Sequence, residues 1–108
     1  MFPLWEHESR AAVHIISYKA IREFKAAHLE AGPGLDNWYR VSGKGQWKSF
    51  GEVKRVFASA DWVKLCVVFS IAGNKYRLIA EINFRSQALF IRHILTHQEY
   101  AEGKWKKT

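Results

Sequence analysis

At Val63 the spacing of the apolar residues changes, and that change restricts the chain to a few folds. Before it, apolar side chains recur at helical intervals. Ile21, Phe24 and Ala27 form a stripe on the Gly- and Pro-free run Tyr18 to Glu30, with Ala20 and Leu29 at its margins. Leu35, Trp38 and Tyr39 follow at i, i+3 and i+4, and Val53, Val56 and Phe57 repeat the pattern. After it, Val63 to Ile71 is nearly continuously apolar, as in a strand covered on both faces. Lys75 to Phe84 then alternates: Tyr76, Leu78, Ala80, Ile82 and Phe84 take one face, and Lys75, Arg77, Ile79, Glu81 and Asn83 the other.

Turn and cap residues divide these runs. Val13 to Ile16 is a short β-type segment, and Ser17 offers an N-cap. Gly32-Pro33-Gly34 ends the first helix and Gly43-Lys44-Gly45 the second, Leu35 to Val41. Ser49 and Glu52 have the spacing of a capping box for a third helix, Phe50 to Phe57. Ala58 to Asp61 reads as a loop, Ala72-Gly73-Asn74 as a hairpin turn, and Ala88 to Leu95 as a last strand. The resulting order, β-α-α-α-β-β-β, predicts an α+β fold with helices on one face of a small, mostly antiparallel sheet.

A two-residue turn at Arg85-Ser86 sets Ile79 opposite Arg92 and Glu81 opposite Phe90. It places Arg77 and Arg92 on one face and His93 toward the core. A slip of one residue would drive the Arg92 charge into apolar surroundings.

With 108 residues the chain has room for one domain, expected over 13–101. Residues 1–12 read as a loosely held extension and 102–108 as a basic, frayed tail. Lys and Arg number 17 against 10 acidic residues, a net charge of +7, which favours an anionic partner, nucleic acid first. A solvated lysine surface is the plain alternative. Lys48, Lys54 and Arg55, with Lys19, Arg22, Lys25 and Lys44, are candidates for an RNA-binding surface. Cys66 is the only cysteine, so no intramolecular disulfide is possible, and it reads as a buried structural thiol. No apolar run approaches a membrane span and the N-terminus lacks a secretory pattern, so a cytoplasmic location is expected. His7, His14 and His28 have no metal-ligand spacing and no glycine loop is built for phosphate, so neither metal nor cofactor is expected.

Lys75, Arg77 and Arg92 are cations that can hold phosphate, and the strand carrying Arg92 ends on His97 and Tyr100. Cleaving an RNA backbone through its 2′-hydroxyl needs a base, an acid and cations that stabilise the phosphorane. His97 suits proton transfer near neutrality. Tyr100 suits proton transfer beside a cation, or stacking on a base. Arg77 and Arg92 can each grip two phosphate oxygens. Each also has an ordinary reading: a surface histidine, a tyrosine capping the core, a salt bridge from Arg77 to Glu81, and a similar ion pair for Arg92.

The segments Val68-Phe69-Ser70-Ile71-Ala72-Gly73-Asn74-Lys75-Tyr76-Arg77-Leu78 and Ile91-Arg92-His93-Ile94-Leu95-Thr96-His97-Gln98-Glu99-Tyr100 carry a resemblance, supported by Trp38, Tyr39 and Trp47-Lys48-Ser49. Over roughly residues 13–101 the chain resembles the HigB type of toxin from bacterial toxin–antitoxin pairs, within the RelE-like group of mRNA interferases. The resemblance implies a RelE-like fold and an endonuclease that cuts messenger RNA held on the ribosome. It implies neutralisation by a HigA-like helix-turn-helix antitoxin. It also implies catalytic roles for His97, Tyr100, Arg77 and Arg92, with RNA contacts from Lys75. A non-catalytic ribosome-binding module, or a degenerate toxin kept as the antitoxin's partner, would use the same basic face. The sequence departs from the pattern in its longer N-terminus and in Ala101, where many relatives carry Asp after the tyrosine.

Overall fold

The structure, a computed structural model, describes residues 12–107; the expected extension lies outside the described residues except for Ala12. Strand β1 (His14–Ile16) leads through Ser17 into α1 (Tyr18–Ala27). A single 3-10 turn, Leu29–Ala31, separates α1 from α2 (Gly32–Gly43), and α3 (Phe50–Val56) follows. The rest is β2 (Asp61–Val63), β3 (Cys66–Ile71), β4 (Tyr76–Asn83), β5 (Ala88–Thr96), α4 (His97–Glu102) and a closing 3-10 turn, Lys104–Lys107. The sheet order is β1-β5-β4-β3-β2, with β1 parallel to β5 and the other pairs antiparallel. The α+β class and the face-by-face alternation of β4 are as the sequence predicts. None of the described helices is long and apolar enough to cross a membrane.

All three leading helices lie on one face of the sheet. Ile21, Leu35, Trp38 and Val53 are buried there against Val67, Phe69, Ile71, Leu78, Ala80 and Leu89. The rings of Trp38 and Phe57 both meet Phe69 edge-on, with centroids 5.3 and 5.2 Å away. Leu29, expected at the helix margin, is outside the core and 81% exposed.

Several expectations need correction. Gly32-Pro33-Gly34 opens α2 and does not close α1, which ends earlier at Ala27, since proline at the first turn of a helix lacks a donor that would have no partner anyway. Gly34 is needed there, because a Cβ would come within 3.0 Å of the Ala72 backbone nitrogen and of Ile71 Cγ2. The apolar run from Val63 is two strands rather than one. Lys64 and Leu65 turn it with φ of 50° and 69°, the paired left-handed residues of a tight hairpin, and Asp61 is already in strand. The Ser49–Glu52 box forms only in part: Glu52 Oε1 accepts from the Lys48 amide at 2.8 Å, and the Ser49 hydroxyl makes no cap bond. Residues 102–107 are not a frayed tail, because α4 and the closing turn fold back on the sheet and bury Trp105.

The fourth strand pair keeps the predicted register from Asn83↔Ala88 through Ala80↔Ile91, including Glu81↔Phe90. Phe84 to Gln87 form a four-residue loop in place of the expected two-residue turn. Beyond Ala80 a β-bulge intervenes and the pairing resumes at Ile79↔His93. Arg92 is therefore the extra residue. His93, paired with Ile79, is on the face away from the helices, contrary to the expectation that it points into the core.

Candidate active site

The helix-free face of the sheet is where the functional candidates gather. Pairing places Val68 and Ser70 of β3, Arg77, Ile79 and Glu81 of β4, and Phe90, His93 and Leu95 of β5 on this face. Its middle is closed by Trp105, 7% exposed, which packs with Val68 and Ile79. The path to Trp105 is set by a true capping box. Thr96 Oγ1 accepts from the Glu99 amide at 3.1 Å, and Glu99 Oε1 accepts from the Thr96 amide at 2.9 Å. Gly103, at φ 75°, ends α4 and turns the chain back.

On one side of Trp105 stands Arg77. Its Nη1 donates to the Asn74 carbonyl at 2.7 Å and to the Tyr76 carbonyl at 3.4 Å, which ties it to the hairpin. Its guanidinium carbon lies 5.2 Å from the centroid of the Tyr100 ring, and that ring stacks on Trp105 at 5.4 Å and 15°. The tyrosine is thus held between a cation and an indole, a geometry that fixes the ring. His97 begins α4, exposed, and its amide donates to the Lys75 carbonyl at 2.9 Å. Arg77 and Tyr100 therefore meet at one end of the face, where the backbones of His97 and Lys75 are also joined.

On the other side is a cleft of about 450 Å³ lined by Lys64, Cys66, Ile79, Glu81, Arg92, His93, Trp105 and Lys106. Arg92 Nη2 donates to Glu81 Oε1 at 2.8 Å. That hydrogen bond, with the carboxylate's charge, holds the guanidinium further toward its charged form. Burial raises the pKa of the Cys66 thiol; the Glu81 charge raises it further and Arg92 opposes. The ion pair read as an alternative for Arg77 is instead made by Arg92.

The structure thus divides the expected quartet. Arg77 and Arg92 share a face, but Arg77 pairs with Leu95, three positions along β5 from Arg92. At ~3.3 Å per residue that separates the two by about 10 Å. Lys48, Lys54 and Arg55 belong to the helical layer on the opposite side, and Lys54 Nζ donates to the Ala60 carbonyl at 2.9 Å. Sequence reasoning set Glu81 and Phe90 on this face without naming them as site residues, and it missed His93, Lys64 and Lys106 as members of the face. The Thr96–Glu99 spacing was a readable signal for α4, and with it for the seat of Trp105.

A family model described as HigB_toxin, the RelE-like toxic component of a toxin–antitoxin system, matches residues 31–103. The chain is 32% identical over 91 residues to the mRNA interferase toxin HigB of Escherichia coli strain K12, covering 82% of this chain and 88% of that relative. It is similar to the same extent to the mRNA interferase HigB of Shigella flexneri. To its namesake in Escherichia coli O6:H1 it is 31% identical over 91 residues.

Proposed function

The chain belongs to the HigB family of RelE-like toxins, and from that premise we propose that it cleaves messenger RNA during translation on the ribosome, without a metal, through attack of the 2′-hydroxyl on the adjacent phosphate. It is the toxic component of a toxin–antitoxin pair and, as its relatives are mRNA interferases, an endoribonuclease. The observation that carries the reading is the division of the sheet. The helices bury one face and leave the other to two arginine stations, Arg77 with Tyr100 and Arg92 in the cleft.

An RNA strand lying along this face meets both. Arg77 spends Nη1 on the hairpin carbonyls, which orients the rest of its guanidinium for phosphate oxygens. Lys75 and Lys64 add positive potential at the two hairpin turns that border the face. Phe90, 38% exposed and opposite Glu81, offers a flat surface to a base. His97 and Tyr100, at the Arg77 end, are placed to hold or protonate the strand there. Lys48, Lys54 and Arg55 on the helical side are proposed contacts to ribosomal RNA. A HigA-like helix-turn-helix antitoxin is the proposed neutralising partner.

Induction of the toxin in growing cells, followed by mapping of 5′ ends on messenger RNA, tests this directly. New ends inside translated regions are expected with the wild type and are lost in Arg77→Ala and Arg92→Ala, with growth restored. Growth arrest with no new ends would instead favour a ribosome-binding module that does not cut.

A further inference from the structure

We propose that Glu81 and His93 are the catalytic base and acid of the cleavage, acting on a phosphate held by Arg92. The proposal rests on reading the chain as an RNA endonuclease and assigns a division of labour that reading leaves open. In-line attack requires the base and acid to flank the phosphate from opposite sides, with positive charge between them. Glu81, Arg92 and His93 all line the cleft. Glu81 is opposite Phe90 on β4 and His93 is opposite Ile79 on β5, which makes them diagonal neighbours across the strand pair. Such diagonals lie ~7–8 Å apart, room for a phosphate between the two side chains. Arg92 is the bulge residue between them and reaches Glu81 at 2.8 Å. Without the bulge, Arg92 and His93 would face opposite sides of the sheet.

The chemistry balances with no further reactant. The Glu81 carboxylate takes the 2′-hydroxyl proton as the 2′-oxygen bonds to phosphorus. The bond from phosphorus to the 5′-oxygen breaks as the His93 imidazolium gives that oxygen its proton. The products are a 2′,3′-cyclic phosphate and a 5′-hydroxyl end. Arg92 couples the two events. In the resting cleft its Nη2 donates to Glu81 Oε1 at 2.8 Å, and a phosphate that arrives competes for that guanidinium and frees the carboxylate oxygen to take a proton. Lys64, Cys66 and Lys106 are the other titratable groups lining the cleft, Glu23 and His28 of α1 share a second groove with Arg92 and His93, and the buried Ile79 forms the floor. Arg77, Tyr100 and His97 then grip the strand at the neighbouring station.

The test uses the purified toxin and a short ribosome-bound message whose cleavage site has been mapped, in single-turnover reactions over a range of pH. Glu81→Gln keeps an acceptor for Arg92, and His93→Asn keeps a polar side chain of smaller size. Each should lower the rate by roughly 100-fold or more. Glu81→Gln should remove the ascending limb of the pH profile and His93→Asn the descending limb. His97→Ala should lower the rate and keep both limbs. Replacing the 5′-bridging oxygen of the message by sulfur makes a leaving group that needs no proton. It should restore His93→Asn to near the wild-type rate and leave Glu81→Gln slow, an outcome that mere misfolding would not give. The assignment is overturned if both variants cut within threefold of the wild type. It is equally overturned if the sulfur substrate fails to rescue His93→Asn, or if His97→Ala is the variant that loses the descending limb. A wild-type toxin that cuts neither message would refute the endonuclease reading itself.

Discussion

Replacing Trp105 with alanine should unseat the chain's end and weaken the whole domain. The indole is 7% exposed, stacks on Tyr100 and closes over Val68 and Ile79, the second of which is fully buried. A tryptophan in such a site buries ~150–250 Å² of surface. At ~25 cal/mol per Å² that corresponds to about 4–6 kcal/mol. The unfolded chain already hides ~10–40% of this area, so the minimum is about 2 kcal/mol. The Nε1 hydrogen bond to the Tyr100 carbonyl is long, at 3.3 Å, and adds little. For a domain near 100 residues, each kcal/mol moves Tm by ~4–8 °C, so the variant should melt about 8 °C lower or more.

Thermal melting and denaturant titration of purified Trp105→Ala and Trp105→Phe check the number. Phenylalanine keeps the stacking surface for Tyr100 and should recover more than half of the loss. RNA cleavage should follow the same order, because Tyr100 beneath Arg77 is held in place by the indole. A loss under about 1 kcal/mol for alanine, the size of an ordinary surface substitution, would mean that residues 104–107 do not pack on the sheet.

Cys66 and Gly34 offer two further tests of the fold. Cys66 should alkylate more slowly at pH 8 than an unhindered cysteine, since burial and Glu81 hold its proton; Glu81→Gln should speed the reaction and Arg92→Ala slow it, measured by mass spectrometry against time. The sign for stability is the reverse of a carboxylate's: a thiol whose folded pKa is raised keeps its full contribution below the ordinary thiol value and loses it as pH climbs toward the raised one. Gly34→Ala should destabilise by about 1–2 kcal/mol in urea, because the backbone of Ala72 cannot retreat from a Cβ at 3.0 Å without opening the hairpin that carries Arg77; a stabilised variant would contradict that contact.

What was legible in the chain is what period and volume decide. The alternation of β4 set its two faces, and the stripes through Ile21, Leu35, Trp38 and Val53 set the helical layer, because burying those side chains outweighs any local preference. The turn at Lys64-Leu65 was not legible. Neither residue is a usual occupant of the left-handed region, and the apolar run continues through them, so tertiary pairing of Asp61 to Val63 with β3 had to impose it. The last helix was legible and overlooked, through the Thr96–Glu99 spacing.

The bulge is the instructive case, since its trace is present in four letters. Ile91 pairs with Ala80 and Ile94 with Leu78, both on the helix-covered face. Two core residues separated by two positions break the period of a regular strand, so either one isoleucine faces solvent or the strand holds an extra residue. A regular strand through Ile91-Arg92-His93-Ile94 must bury His93 beside Ile91 and expose Ile94. Bulging there lets both isoleucines reach the core and turns both polar groups outward, at the cost of one irregular ladder position. Hydrophobic burial and the avoidance of a buried imidazole thus act in the same direction. Their joint result is to set an arginine and a histidine side by side in a cleft opposite Glu81. The energetic reason for the bulge is therefore also what places the proposed proton donor, and a His93→Val substitution should satisfy the core alternative and remove it from the cleft.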